Sequence, residues 1–560
     1  MDVVLVGLPG SGKTAVGRRL ARRHDAELID LDEAIEREAG APVPRIFADE
    51  GEAGFRSRER AAIEALGPPD GDAVIRRVIA SGGGAVVDPR NRWRLYRRRL
   101  PIWLDVRPEV LAQRLRRSHT VRPLVASSGD PTGAVRRLAA ARVRFYSAAH
   151  RVDAVAEPDT VLRRIDEAAE TRLASPGGAA STILLDASTP VGRILLGDGI
   201  AASGVDAALR DLGSRRAILV SEPGAWSSVG GALASTLAGQ GWPVERVDLP
   251  QGEAAKRLEV VERAARELAR LRVERGEPLV AVGGGALGDT AGFIAAVWLR
   301  GVPVVHVPTT LVAQIDSSIG GKTAVDLPEG KNLIGAFHQP AAVVADVSLL
   351  RTLPERQLRA ALGEAVKMAA LGDERLLELL ETSGDAIARG DPGAFDDGSI
   401  AELVERCAWA KVEVVSRDER ETAAAGRIAL NLGHTYGHAL EAADGYATLL
   451  HGEAVAYGLR GAIRLGSATG VTPPERADRL EAVLDALRLG VAPLPYAADR
   501  VLGALAVDKK HADGQVRWVL PTADRVAIRS DVPESLVRKV LDELLAGRET
   551  LAAGTVGATR

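Results

Sequence analysis

Two groups of residues in this 560-residue chain have the types and spacing to do chemistry. The first is Gly7-Leu8-Pro9-Gly10-Ser11-Gly12-Lys13-Thr14, a G-x-x-x-x-G-K-T loop between an apolar run at 2–6 and a helix-forming stretch, Ala15–His24. Glycines at 10 and 12 let backbone N–H groups around Ser11 face phosphate oxygens, Lys13 neutralises their charge, and Thr14 offers a hydroxyl to Mg²⁺. Such a loop binds a nucleoside triphosphate. The second group is Glu364, His434 and His451. One carboxylate and two imidazoles make a zinc set that leaves coordination positions open for a substrate. Histidines 434, 438 and 451, out of nine in the chain, lie close together among glycines. His434 and His438 are spaced to share a helix face, but position 435 is Thr, so the H-E-x-x-H protease pattern is absent. Upstream, Leu279–Val282 runs into Gly283-Gly284-Gly285-Ala286-Leu287-Gly288-Asp289. A turn of that kind lets backbone approach a pyrophosphate closely, although it is not the G-x-G-x-x-G fingerprint.

These groups need scaffolds. Residues 2–6, Ala26–Ile29, Val74–Ala80 and Ile102–Leu104 read as buried parallel strands between Arg- and Ala-rich helical stretches. Leu28-Ile29-Asp30-Leu31-Asp32 reads as a strand end whose two acids face one side. A helical stretch, Thr160–Leu173, precedes Ser175-Pro176-Gly177-Gly178-Ala179-Ala180-Ser181, which has linker composition. A second β/α alternation starts at Thr182, with strands expected at Ile194–Leu196, Arg216–Val220, Val244–Asp248, Leu279–Val282, Val304–Val307 and Val343–Asp346. After Leu353-Pro354 the amphipathic stretches Arg356–Leu371, Ile400–Val415 and Arg476–Leu487 suggest an all-helical region. The fold class is therefore α/β. The expected order is a P-loop domain with a parallel sheet (1–173), a linker (174–181), a Rossmann-like nucleotide-binding domain (182–350), an all-helical metal-binding domain (351–548) and a tail (549–560).

Bulk composition narrows the field. Hydrophobic content of 46% with 26% charged residues is ordinary for a globular protein. A net charge of -3 argues against a general nucleic-acid partner. The single cysteine, Cys407, excludes an internal disulfide and a cysteine zinc ribbon, and fits a reducing cytoplasm. No apolar run reaches the roughly 18 residues that span a bilayer, so no membrane partner is expected. The first residues read as a strand, not a signal peptide.

Around the P-loop stand Asp30, Asp32, Phe55-Arg56-Ser57-Arg58-Glu59, Gly82-Gly83-Gly84, Arg122-Pro123-Leu124 and Arg142. With this company residues 1–173 resemble shikimate kinase, an adenylate-kinase-like fold. The resemblance implies that Asp32, Arg56 and Arg142 hold shikimate against the Gly82–Gly84 turn. It places Asp30 near the metal and the reacting hydroxyl, and Arg122 on a lid over ATP. The chemistry agrees: a carboxylate substrate suits forked arginines, and phosphoryl transfer needs positioning and charge neutralisation.

The C-terminal motifs are Gly283–Asp289, Arg300-Gly301, Pro308-Thr309-Thr310, Asp316–Thr323, Gly330–Phe337 and Leu430–His438. They make residues 182–545 similar to 3-dehydroquinate synthase. That resemblance implies NAD, a Zn²⁺ (or Co²⁺) ion on Glu364, His434 and His451, and closure of 3-deoxy-D-arabino-heptulosonate 7-phosphate to 3-dehydroquinate with loss of phosphate. Implied NAD positions are Glu253, Lys256, Gly284, Gly285, Asp289, Thr309, Thr310, Lys322, Lys331 and Thr352. Implied substrate positions are Arg300, Lys322, Asn332, Lys367, Lys411, Arg427, Asn431, His438 and one or both of Lys509 and Lys510, with Lys510 as the working choice. Asp316, Lys322 and His438 are the implied catalytic groups. The resemblance also implies a homodimer through this half, with small molecules as the remaining partners. The alternative is a related sugar-phosphate cyclase fused to a regulatory, inactive kinase domain.

Overall fold

The computed structural model describes residues 1–69, 74–117, 130–174, 181–421, 426–511 and 516–547, with the side chains at 117, 131, 174 and 506–511 also outside the description. These residues form two compact units, one of Met1–Ser188, Arg193–Gly204 and Val344–Val347, the other of Thr189–Gly192, Val205–Val343 and Ser348–Arg560. Residues 175–180 of the expected linker lie outside the described residues. Among the described residues no helix is long and apolar enough to cross a membrane.

The N-terminal sheet contains β1 (Asp2–Val6), β2 (Glu27–Asp30), β3 (Arg77–Ala80), β4 (Leu100–Asp105) and β5 (His150–Asp153), in the order β2-β3-β1-β4-β5. Every pair is parallel. The central strand β1 is buried at all five residues, as an apolar run covered on both faces must be. Its end feeds the P-loop, and α1 (Lys13–His24) starts at once with Gly12 as N-cap at φ 95°. Helices α2 (Leu31–Ala39), α3 (Val43–Glu64, kinked at Gly51) and α4 (Pro131–Tyr146) carry most of the other candidate residues.

Two sequence expectations change here. The strand at 74–80 begins at Arg77. The strand end thought to carry both acids stops at Asp30, whose carboxylate caps α2 by accepting from Asp32 N (3.1 Å) and Glu33 N (3.3 Å). Asp32 is helical, so two-residue alternation does not relate the pair.

The second sheet has seven strands: β6 (Thr182–Thr189), β7 (Gly192–Asp198), β8 (Ala217–Ser221), β9 (Val244–Asp248), β10 (Leu279–Gly283), β11 (Val304–Pro308) and a last strand, Ala342–Asp346. Numbering the last strand β14, the order is β6-β7-β14-β11-β10-β8-β9. Pairs from β14 through β11, β10 and β8 to β9 are parallel. The antiparallel hairpin of β12 (Lys322–Leu327) and β13 (Gly330–Phe337) adds two strands to those expected, and it carries the Lys322-Thr323 and Gly330–Phe337 motifs. The glycine turn after β10 opens α5 (Gly285–Val297), which packs on an apolar core that includes Val280's neighbours Leu279 and Ala281 as well as Leu287 and Ile294.

Beyond the sheet the chain is mainly helical. Helices α6 (Glu355–Ala370), α7 (Ser399–Arg417), α8 (His434–Asp444) and α9 (His451–Ala468) position the second site. The expected all-helical region also contains the short antiparallel hairpin β15 (Trp518–Pro521) and β16 (Val526–Arg529).

Candidate functional sites

In the P-loop, Gly7, Gly10 and Gly12 all have positive φ, the conformations that glycine adopts without strain. Lys13 turns its ammonium onto the loop itself, donating to Gly7 O (2.9 Å) and Leu8 O (3.2 Å). Ser11 is buried against Gly7, and Thr14 Oγ1 donates to Asp30 Oδ2 at 2.6 Å. The hydroxyl and carboxylate expected around Mg²⁺ are therefore already paired.

The Gly82–Gly84 turn draws the other predicted residues together. A Cβ added at Gly82 would stand 3.0 Å from Asp32 Oδ1 and 2.9 Å from Glu59 Oε1, and one at Gly84 would stand 2.6 Å from Arg56 Nη2. Arg142 and Tyr146 both donate to Gly83 O at 2.6 Å. Glu59, which sequence reasoning did not select, is buried and pairs with Arg56 at 2.8 Å. Burial pushes its carboxyl up while Arg56 pulls it down. This pocket presents two guanidinium groups and carboxylates over a turn without side chains, a fit for a small polyhydroxy acid. Arg122, the expected lid residue, lies outside the described residues.

The second site is built from three helices and a turn. Glu364 on α6 is fully buried, and His434 and His451 open α8 and α9. His434 Nε2 and His451 Nε2 lie 3.4 and 3.2 Å from the same oxygen, Glu364 Oε1. The three ligand atoms lie within 4.8 Å of one another. Among the described residues neither Glu364 oxygen makes a hydrogen bond of ordinary geometry, although charged neighbours stand close. A buried carboxylate with two imidazoles aimed at it fits a divalent cation of the zinc type. His434 Nδ1 lies 3.2 Å from Leu432 O, and burial holds the ring neutral, down to about 3. A neutral ring must donate at Nδ1 to that carbonyl, which leaves Nε2 as an acceptor.

A ladder of alternating charge runs through this site. Buried Lys411 on α7 donates to Asp316 O at 2.8 Å and pairs with the Asp316 carboxylate. Lys367 lies 3.6 Å from Asp316 and 2.5 Å from Glu364. His451 reaches Glu364 by Nε2 and Glu441 by Nδ1 (3.4 Å), and Lys331 stands 3.5 Å from both Glu441 and Glu253. Burial alone would raise the carboxyls of Asp316 and Glu364, but Lys367 and Lys411 hold the first, and Lys367 with His434 and His451 the second, below their ordinary range. Burial likewise opposes charge on His451, yet Glu364 and Glu441 push it up to about 10.

On the cofactor side, Gly284 is the extended N-cap of α5, and Thr309 N donates to Gly283 O at 3.0 Å. Side chains added at Gly284 and Gly285 would meet Thr310 Cγ2 at 3.3 Å and Ser317 Oγ at 3.0 Å. This narrow floor beside a helix N-terminus fits a dinucleotide phosphate. Lys256 donates to Asp289 (2.7 Å) and to Asn332 Oδ1 (2.5 Å), so hairpin, turn and helix meet there. Asn332 itself has φ 58°.

The remaining positions divide. Glu421, unread in the sequence, accepts from Lys322 (2.5 Å) and Asn431 (3.1 Å) and so gathers two predicted substrate residues. Arg427 is buried and donates to Glu419 O at 2.7 Å. His438 lies beside His434, ring centroids 5.2 Å apart. Arg300 is exposed on a turn at φ 68°. Thr352 is exposed and donates to Leu349 O. The Lys509 and Lys510 side chains lie outside the described residues. Glu59 and Glu421 lie in charged stretches, Arg56–Arg60 and Arg417–Glu421, and Glu441 lies among alanines and leucine, so they share no signal that separates them from solvated acids.

Comparison with known proteins adds independent findings. Residues 9–170 match the family model of shikimate kinase. Residues 246–360 and 361–511 match the N-terminal and C-terminal models of 3-dehydroquinate synthase. A 3-dehydroquinate synthase of Synechococcus sp. strain CC9605 is 41% identical over 354 residues, 63% of this chain and 92% of its own length. That of Halorhodospira halophila is 43% identical over 351 residues, 62% of this chain and 96% of its own. Among solved structures, 2-epi-5-epi-valiolone synthase from Streptomyces hygroscopicus subsp. jinggangensis 5008, with NAD⁺ and Zn²⁺ bound, is 29% identical with a TM-score of 0.57. It covers 63% of this chain and 96% of that one. A 2-deoxy-scyllo-inosose synthase complexed with carbaglucose-6-phosphate, NAD⁺ and Co²⁺ is 27% identical with a TM-score of 0.56, covering 64% and 97%.

Proposed function

The chain belongs to the 3-dehydroquinate synthase family and carries a shikimate kinase region ahead of it, and from that premise we propose a bifunctional enzyme of the route to chorismate and the aromatic amino acids. The kinase half phosphorylates the 3-hydroxyl of shikimate. The synthase half converts 3-deoxy-D-arabino-heptulosonate 7-phosphate to 3-dehydroquinate and phosphate. The observation that carries the second activity is the convergence of Glu364, His434 and His451 beside a lysine-rich floor and a dinucleotide-type turn. Identity of 41% to a dehydroquinate synthase, against 29% and 27% to the two other cyclases, favours this substrate over theirs.

In the synthase half Glu364, His434 and His451 would hold the metal, and Gly284, Gly285, Lys256 and Asp289 would flank NAD. When bound, these groups polarise the substrate's C5 oxygen and carry its hydride out and back, with no net redox change. The chain's own residues do the rest. Lys322, Asn332 and Lys367, with Arg427 and Asn431, bind the anionic and hydroxyl groups of the substrate. Lys411 keeps Asp316 ionised and oriented. His438, its ring beside those of His434 and His451, is the group suited to carry a proton on the metal side. In the kinase half Arg56 and Arg142 grip the substrate carboxylate and Asp32 orients its ring hydroxyls. Lys13 and Thr14 attend the phosphates and Mg²⁺ of ATP.

The family membership supports a homodimer through the synthase half. The single cysteine supports a cytoplasmic location. The two steps are not consecutive, so the fusion serves equal copy number more than direct transfer. Phosphate release from the heptulosonate phosphate, followed with and without chelator alongside NADH absorbance, tests the synthase. Metal-dependent release without net NADH is expected, and no release from metal- and NAD-loaded protein would exclude this substrate. Shikimate-dependent ATP consumption tests the kinase, and its absence would leave the regulatory alternative.

A further inference from the structure

His451 offers its two ring nitrogens to two different carboxylates. Nε2 faces Glu364, where the cation is to sit, and Nδ1 faces Glu441 Oε2 at 3.4 Å. Glu441 is 4% exposed and lies on α8, two turns beyond His434. His434 has its counterpart arrangement, with Nδ1 against a backbone carbonyl. Each imidazole thus has a fixed acceptor on the side away from the cation position. The geometry points to Glu441 as the positioning residue that accepts the Nδ1 proton of His451, fixes its ring and leaves Nε2 to ligate the metal.

A ligating imidazole whose far N–H meets a carboxylate is better oriented and more basic, and loss of such a partner costs about 10–100-fold in metal affinity. The other Glu441 oxygen lies 3.5 Å from Lys331, which restrains the carboxylate from the opposite side. His438, Glu441 and His451 are also close enough to form a cation-binding triad of their own. Filling both triads at once would require His451 to lose both ring protons and bridge as an imidazolate, so the hydrogen-bonding role is favoured over a second ion.

The inference rests on the metal reading above, and the test separates the two. Metal-stripped full-length protein is titrated with Co²⁺ against a chromophoric chelator at fixed neutral pH, and the visible d–d band is recorded. The forms compared are wild type, Glu364→Gln, Glu441→Gln and Glu441→Met. One Co²⁺ per chain is expected in wild type, lost in Glu364→Gln. Affinity should weaken about 10-fold in Glu441→Gln, whose amide oxygen still accepts, and toward about 100-fold in Glu441→Met, with an altered band. Thermal unfolding of the metal-free variants checks that each is folded before its affinity is read. If Glu441→Met does not fold, Glu441→Gln decides alone. Wild-type affinity within about twofold in the folded Glu441 variants would overturn the role. Two Co²⁺ per chain, one lost with Glu441, would overturn it in favour of a second ion. Unchanged binding in Glu364→Gln would overturn the metal reading and this inference with it.

Discussion

Replacing His306 with glutamine isolates a pH dependence built into the synthase half. The ring sits on β11 at 6% exposure, below Gly288 and Gly292 of α5, and burial pushes it from 6.5 down to about 4, with His338 adding to the effect. The folded protein therefore resists a proton that the unfolded chain accepts. Its contribution is fully present above the unfolded value near 6.5 and is lost as pH falls toward about 4. The whole shift of about 2.5 units corresponds to about 3 kcal/mol, and roughly 2 kcal/mol of it is lost between about pH 7.5 and about pH 5. Urea unfolding of the full chain at both pH values, followed by a signal from the synthase half, measures this directly. Wild type should lose about 2 kcal/mol more than His306→Gln over that interval. Equal losses in the two proteins would refute the reasoning, because glutamine has no proton to exchange in either state.

Three other perturbations separate the two sites. Gly84→Ala forces the Arg56 guanidinium off the turn, so the KM for shikimate should rise about 10- to 100-fold, as for a lost charged hydrogen bond, with synthase turnover unchanged. Lys13→Met should lower kinase kcat about 100- to 1000-fold while phosphate release by the synthase half stays at wild-type rate. Lys411→Met leaves buried Asp316 with Lys367 as its remaining cation. It should cost about 3 kcal/mol in thermal unfolding, and unchanged stability would show that the Lys411 pair contributes nothing net.

Much of the architecture could be read from residue patterns because parallel strands covered on both faces are written as plain apolar runs. Leu279–Val282 and Val304–Val307 stand almost where that pattern puts them. The short alternating strands around Thr323 and Trp518 were missed, since chemistry-bearing residues or turns interrupt them. Asp32 was assigned to a strand because apolar residues alternate up to it, but capping by Asp30 starts a helix one residue earlier. Glu364, His434 and His451 were legible as residue types, and folding brings them together from three helix segments. Glu59, Glu421 and Glu441 were not legible. Their sequences look like solvated acids, and only burial against a basic partner distinguishes them. Arg300 is exposed on a left-handed turn, a backbone state that its motif gave no means of reading.

The alternating ladder from Lys411 to Glu253 also constrains how this chain can vary. Each inner member is flanked by opposite charge on both sides, so a lone replacement strands a neighbour, whereas a compensated pair of replacements does not. Drift in this region should therefore proceed by coordinated exchange of adjacent rungs. A library randomised at Glu441 and Lys331 together should yield more folded clones than the product of the two single-site frequencies.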